Sequence, residues 1–338
     1  MSKQAVLVVG GAGFIGSHMC TLLDAAGYAV IVLDSLVSSR HRAAIPGVFV
    51  EGDMADSALV ERICRQHRID AALHFAAFIE VGESVRDPAK YFENNVIKTL
   101  KLVEALRAAS VDKFIFSSTA SVYGLPGAEA IDESLPVKPI NPYGMTKLSI
   151  EQALASYEQA YGFRSVRLRY FNAAGADPEG ELGECHDPET HLIPLILQAA
   201  SGRRDHIKLF GDDYGTPDGS CIRDYVHVLD LCRAHLAALE RLNAGLPGDV
   251  YNLGNGGGYS VLEVVEAARE VTGCEIEVRR EARRPGDPDV LVADAGKARR
   301  DLGWTPEYGL RDIIAHAWRW EQVLCAERGA PAQGTPLR

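Results

Sequence analysis

Tyr143 and Lys147 stand four residues apart in the stretch NPYGMTKLSIE. On a helix that spacing puts both side chains on one face, with Cβ atoms about 5–6 Å apart. A free phenol has a pKa near 10 and is a poor base at neutral pH. A lysine charge about 6 Å away, at an effective dielectric near 20, favours the phenolate by roughly 2.8 kcal/mol. That is about two pKa units. The pair therefore offers a base for taking a hydroxyl proton, and a cationic nicotinamide nearby would lower the pKa further. Tyr-x-x-x-Lys alone is most often a solvated helix face. Here the helix begins after Asn141-Pro142, a clean start signal, and it follows a strand that ends in hydroxyls, FSSTASVYG.

Such a pair needs a rigid support. The first half of the chain alternates apolar runs (AVLVVGG, AVIVLD, VFVEGD, AALHFAA, KFIFSST and SVRLRYFN) with amphipathic stretches. The stretches predict helices over 14–26, 57–67, 88–110 and 142–161. This alternation implies a parallel sheet covered on both faces, that is, an α/β, Rossmann-like doubly wound fold. Ligands of such sheets lie beyond the carboxyl ends of the strands. After Asn172 the pattern loosens into a polar loop. There follow a helix-like LIPLILQAAS, a strand IRDYVHV, a helix over 228–243, a strand DVYNLG and a smaller unit of mixed pattern. The last residues, AERGAPAQGTPLR, read as a frayed tail.

Gly10, Gly13 and Gly16 lie directly between the first strand and its helix, in GGAGFIG. Glycines let the backbone approach a pyrophosphate, and the helix N-terminus attracts its charge. The second strand ends at Asp34, placed to accept hydrogen bonds from ribose hydroxyls and to repel a 2′-phosphate, which favours NAD over NADP. In EGDMA, Asp53 could bond an adenine amine while Met54 packs on the ring.

Composition narrows the partners. The chain has 338 residues, 47% apolar and 24% charged, with a formal net charge of −11. That acidity argues against nucleic acid. The N-terminal apolar run is too short to span a membrane, and a cytoplasmic location is expected. Seven cysteines, with no C-x-x-C among them, indicate reduced, buried thiols rather than disulfides or zinc. His186 and His191, near Asp187 and Glu189, read as part of a solvated loop, and no metal is expected.

The combination of GGAGFIG, SSTASVYG and YGMTK resembles the extended short-chain dehydrogenase/reductases. The runs HFAAFIEVGESV, RYFNAAGA, CIRDYVHVLDL and RRPGDPDVLVAD resemble, within them, the UDP-glucose 4-epimerases. The resemblance covers nearly the whole chain. It implies a redox-neutral inversion at C4 of a UDP-sugar, with hydride lent to bound NAD and returned to the other face of a 4-keto sugar. Tyr143 would be the base on the 4-hydroxyl, Lys147 would hold the nicotinamide ribose, and Thr119 would bond the sugar oxygen. Cofactor contacts would come from Gly10, Gly13, Phe14, Ile15, Gly16, Asp34, Ser35, Asp53, Met54, Phe75, Ala76, Ala77, Asn94, Ser117, Tyr170 and Phe171. Asn172, His191, Leu192, Leu209, Phe210, Arg223, Arg284, Asp287 and Leu291 would line the UDP-sugar site. Arginine suits a diphosphate because its fork bonds two oxygens at once. The dinucleotide-binding domain would span 1–175, with a return segment at about 222–254. Residues 176–221 and 255–338 would form the substrate domain. A homodimer through the helices over 88–110 and 142–161 is also implied, with Val96, Leu100, Val103 and Leu106 as an apolar stripe.

Three positions depart from the family pattern. Ile79 stands where some members place a lysine against the cofactor, and His191 replaces a frequent asparagine. Leu291 aligns with the position that gates sugar size, and its bulk favours UDP-glucose and UDP-galactose over N-acetylated sugars. A 4,6-dehydratase needs acids just after the threonine, where this chain has Ala120 and Ser121. A UDP-pentose or UDP-GlcNAc 4-epimerase would use the same machinery, whereas a non-catalytic NAD sensor would not keep the Tyr/Lys pair.

Overall fold

A strand buried on both faces of a parallel sheet must be apolar along its whole length, and the runs of the N-terminal half meet that demand. The computed structural model describes residues 3–37, 45–127, 130–284 and 286–329. The runs form β1 (Ala5–Val9), β2 (Ala29–Asp34), β3 (Val48–Glu51), β4 (Ile69–His74), β5 (Lys113–Thr119) and β6 (Arg164–Tyr170). After them come β7 (Asn172–Ala174), β8 (Ile207–Phe210), β9 (Ile222–Arg223), β10 (Tyr225–His227) and β11 (Asp249–Leu253). Seven strands make one sheet in the order β11-β6-β5-β4-β1-β2-β3, and all neighbours are parallel. The doubly wound, Rossmann-like architecture read from the sequence is the one observed.

Alternation along the strands divides the core in two. Val6, Val8, Val30 and Val32 face α1 (Phe14–Ala25), together with a helix over Val228–Asn243. Leu7, Val9, Ile31 and Leu33 face α2 (Ser57–His67) and the helices Thr99–Ala108 and Pro142–Tyr161 on the other side. Strand order reverses between β1 and β4, so their carboxyl ends open a crevice. A third core around Trp318 joins the helices Leu192–Ala200, Val261–Thr272 and Leu310–Glu327 of the C-terminal part. All seven cysteines are free thiols. No helix among the described residues is long and apolar enough to cross a membrane.

Two sequence expectations fail for identifiable reasons. The single helix over 88–110 is three pieces: a turn at Pro88–Tyr91, a π-helical segment Phe92–Lys98 and the α-helix Thr99–Ala108. π-Segments cluster at functional sites. Here the buried Asn95 bonds both backbone groups of Phe78 (3.0 and 2.9 Å) while its neighbour Asn94 lines the crevice. The apolar stripe on this stretch is core: Val103 and Leu106 are fully buried, with Val96 and Leu100 packed against them. The run IRDYVHV is likewise broken, at Asp224. That buried carboxylate accepts the N–H groups of Asn255, Gly256 and Ala293 (2.7, 2.9 and 3.1 Å). β9 then pairs with β12 (Tyr259–Ser260) and β14 (Val290–Leu291), β8 with β13 (Val278–Glu281), and β10 with β7. The expected frayed tail begins inside the last helix, which runs to Glu327; its residues from 330 onward lie outside those described.

Gly10 carries a close approach. Its φ is +80°, and a Cβ there would lie 2.5 Å from the Ala76 nitrogen. Gly10→Ala is expected to destabilise the protein by about 1–3 kcal/mol, seen as a lower denaturation midpoint, whereas Gly27→Ala, with nothing within 4 Å of its Cβ, costs only the positive-φ strain.

Candidate active site

The carboxyl edge of the sheet, the loop after β7 and the segment around β14 enclose a cleft of about 1650 Å³. Pockets for a single drug-sized ligand measure about 300–1,000 Å³, so the cleft has room for a dinucleotide and a second ligand. At one end the backbone forms a cradle. A Cβ on Gly16 would sit 2.2 Å from the Gly10 carbonyl oxygen. Gly13 caps α1 without a side chain, and no acid stands in the first turn. The N–H groups at Phe14, Ile15 and Gly16 are thus left to attract an anion. Asp34 is held at the wall, accepting from Ala12 N (2.9 Å) and Leu36 N (2.8 Å). These contacts fit a dinucleotide whose pyrophosphate lies on the cradle and whose ribose meets Asp34.

Most expected cofactor positions meet here: Gly10, Gly13, Phe14, Ile15, Gly16, Asp34, Ser35, Asp53, Met54, Phe75, Ala76, Ala77, Asn94, Tyr170 and Phe171 all line the cleft, as does Ile79. Ser117 does not. Two residues deeper in the strand than Thr119, its side chain lies against His235 (3.3 Å) and bonds Tyr170 of the cleft wall, and its carbonyl accepts from Lys147 Nζ (2.8 Å). Asp53 is already paired with Lys98 at 2.5 Å, which holds its pKa low despite burial. Lys98 therefore shares the place that the sequence reading gave to Asp53 alone. No motif marked it, because the lysine arrives on the π-helical segment.

Tyr143 lines the centre of the cleft, 9% exposed, with Thr119 hydrogen-bonded to it. Lys147 Nζ lies 6.0 Å from the Tyr143 ring centre, the separation assumed from helical spacing. The expected consequence does not hold for the protein's own groups. Burial pushes Tyr143 up to about 12, with Thr119 opposing weakly. The same burial draws Lys147 down to about 7, with the Glu151 charge opposing. Burial costs each charged form more than the neighbour returns. Beneath the pair, Arg169 bonds the buried Glu151 through two nitrogens (2.9 and 2.5 Å), and Ser118 also donates to that carboxylate. The periodicity of the helix does not distinguish Glu151 from a surface acid.

At the other end, Asn172, His191, Leu192, Phe210, Arg223, Arg284, Asp287 and Leu291 line the cleft, with Thr119 and Ser121 between the two halves. Leu209 does not: Phe210 precludes it, since adjacent strand residues point to opposite faces, and Leu209 packs with Tyr214, Cys221 and Val261. Pairing of β9 with β14 sets Leu291 opposite Arg223. Arg223 donates to Asp287 Oδ1 at 2.6 Å, so Asp287 aims the arginine fork. Arg284 stacks over Phe210 at 4.4 Å. The solvated loop expected around His186 is observed at Asp187 and Thr190, which are exposed, but not at its start. Glu184 is buried and pairs with His186 (3.1 Å) and His191. Burial opposes the charges, yet the pairing draws Glu184 down to about 2 and His186 up to about 10.

The strand order, with the acid ending β2 and the glycine turn ending β1, is that of dinucleotide-dependent Rossmann-type enzymes. The chain belongs to the NAD dependent epimerase/dehydratase family, whose model matches residues 6–254. The UDP-glucose 4-epimerase of Rhizobium leguminosarum bv. trifolii is 52% identical over 321 residues, covering 95% of this chain and 98% of that protein. The crystal structure of UDP-glucose 4-epimerase from Brucella ovis in complex with NAD superposes with a TM-score of 0.91 at 50% identity, covering 93% of this chain and 97% of that one. The Bifidobacterium longum enzyme in complex with NAD+ and UDP gives a TM-score of 0.90 at 40% identity, covering 95% and 98%.

The buried lysine makes a signed pH prediction. Its folded pKa of about 7 lies below the ordinary 10.5, so between those values the unfolded chain binds the extra proton and stability from this group rises with pH. Lys147→Met should stabilise the nucleotide-free fold by about 1–4 kcal/mol below pH 7, and the gain should shrink toward pH 10. Chemical denaturation at pH 6 and pH 9 measures it; a gain that grows with pH contradicts the sign.

Proposed function

We propose that the chain catalyses the reversible 4-epimerisation of UDP-glucose and UDP-galactose through a 4-keto sugar, with NAD as a retained cofactor. The observation that carries this reading is the position of Tyr143 and Thr119, between a dinucleotide cradle and the pair Arg223 and Arg284 within one cleft. The names of the relatives, and the NAD+ and UDP in the Bifidobacterium longum complex, support it.

NAD, when bound, supplies the hydride acceptor and donor and a positive charge at the nicotinamide. Tyr143 takes the proton from the sugar 4-hydroxyl and returns it after the sugar has turned. Thr119 bonds the reacting oxygen and holds the phenol in line. Lys147, fixed to the Ser117 carbonyl, donates to the nicotinamide ribose. Arg223, aimed by Asp287, and Arg284, braced on Phe210, clamp the diphosphate. Ala120 and Ser121 offer no acid for a second proton transfer at C5 or C6, so the reaction stops at epimerisation. Firm anchoring of UDP with few contacts to the sugar lets the keto sugar present either face. Residues 1–175 with 222–254 act as the NAD-binding domain, and 176–221 with 255–338 as the UDP-sugar domain. The working form is a cytoplasmic homodimer joined through the helical segments over 88–110 and 142–161, where Phe92, Ile97 and Met145 remain exposed.

Purified protein incubated with UDP-galactose, without added NAD, is expected to form UDP-glucose. Tyr143→Phe should keep its NAD content and lose about 10²–10⁴ in kcat, the usual contribution of a general base; full activity in this variant would overturn the assignment, as a sensor role predicts no effect at all. Leu291 narrows the sugar end, so kcat/KM should favour UDP-galactose over UDP-GalNAc and Leu291→Ala should narrow the gap. Equal kcat/KM for UDP-GlcNAc and UDP-glucose in the wild type would refute the gate.

A further inference from the structure

The loop before the helix Leu192–Ala200 gathers Glu184, His186, Glu189 and His191. One donor atom from each lies within 4.8 Å of all the others. The proposed reaction uses none of the first three. Glu184 is only 6% exposed, and its ion pairs are with the two imidazoles. A carboxylate buried this deeply must be matched by positive charge. The supports are fixed from outside the cluster. The Trp320 indole donates to the Glu184 carbonyl at 2.8 Å, and a Cβ on Gly183 would strike the same ring at 2.2 Å. Glu189 Oε1 accepts the N–H groups of Thr190 (2.7 Å) and His191 (2.9 Å), which sets the direction of its carboxylate.

We propose that Glu184, His186, Glu189 and His191 form a structural site for a divalent transition-metal ion of the Zn²⁺ type. Two imidazole nitrogens and two carboxylate oxygens make a donor set that suits zinc, whereas magnesium and calcium prefer oxygen alone. Two carboxylates also balance the charge of one divalent ion. Tetrahedral zinc, with bonds of about 2.0–2.2 Å, spaces its donors roughly 3.4 Å apart, so side-chain rotations that part Glu184 from the two imidazoles and draw the wider pairs together, each by an ångström or so, complete the shell. With four protein ligands the site is closed, and the ion takes no part in the sugar chemistry. It fastens the segment 184–191, whose Cys185, His186, Glu189 and His191 form part of the cleft wall. The site does not depend on which sugar the cleft accepts.

Untagged full-length protein, treated with chelator and dialysed, is the material for the test, and ZnCl₂ is the probe in titration calorimetry. The wild type should bind one equivalent with a submicromolar Kd and melt at a higher temperature with the metal. CoCl₂ should give visible absorption of a four-coordinate site. His186→Gln and Glu189→Gln should each weaken Zn²⁺ binding at least 100-fold while NAD content and the circular dichroism spectrum show an intact fold; Cys185→Ser should bind as the wild type does. Absence of stoichiometric binding to the wild type overturns the proposal and leaves protonated imidazoles between the carboxylates as the whole of the cluster. Unchanged affinity in both variants, or loss of binding in Cys185→Ser, overturns it as well.

Discussion

Removing a tyrosine and a lysine together from water disfavours the charged form of each, and the site is built around that constraint. Tyr143 is held neutral by burial, and the Lys147 cation is itself weakened by it. The simple account, in which a lysine one turn away creates the phenolate, neglects desolvation of both partners. What the protein provides is a dry position that responds strongly to added charge, because the effective dielectric is low there. A cationic ligand ring beside Tyr143 would then act on the phenol far more than it could at a surface. Proton removal and hydride departure become linked through that charge. Glu151, bonded by Arg169 and Ser118, sits below, and its charge opposes the effect of burial on Lys147.

The rest of the architecture follows from placing this pair where two ligands meet. Parallel strands direct their carboxyl ends to one edge, and reversal of strand order opens the crevice there. Glycines at 10 and 16 permit backbone contacts that a Cβ would block. At the far end, binding residues come from short strands held by the buried Asp224, whose three backbone bonds join β9, the turn after β11 and the stretch following β14. Arg223 and Leu291 are neighbours for that reason. Arg284 comes from the turn just ahead of β14. The clamp is thus fixed to the scaffold by a buried carboxylate that does not line the cleft.

What could be read from the sequence was mostly what local pattern dictates. Continuous apolar runs and the glycine turn gave the sheet, and i,i+4 spacing gave the shared face of Tyr143 and Lys147. Four features escaped. The π-segment that brings Asn94 and Lys98 to the cleft has the same apolar spacing as an ordinary helix. Leu209 is adjacent to the lining Phe210, and only strand alternation separates them, whereas Ser117 lies two residues deeper in the sheet than the lining Thr119, against His235. Asp224 divided a run that looked like one strand, through partners far away in sequence. Glu184 carried no motif, and its burial could not be read because the Trp320 wall behind it is more than a hundred residues further on.

The central claim is that the protein alone keeps Tyr143 neutral and that positive charge on the bound nicotinamide draws its pKa down. The most direct measurement is carbon-13 NMR of tyrosine labelled at the ζ carbon, assigned by loss of the signal in Tyr143→Phe and followed against pH in nucleotide-free and NAD+-loaded protein. The account predicts a neutral phenol to above pH 9 without nucleotide and a titration at distinctly lower pH with NAD+ bound. A Tyr143 signal already in the phenolate form near pH 7 in the nucleotide-free protein, or one that titrates alike in both states, would contradict it.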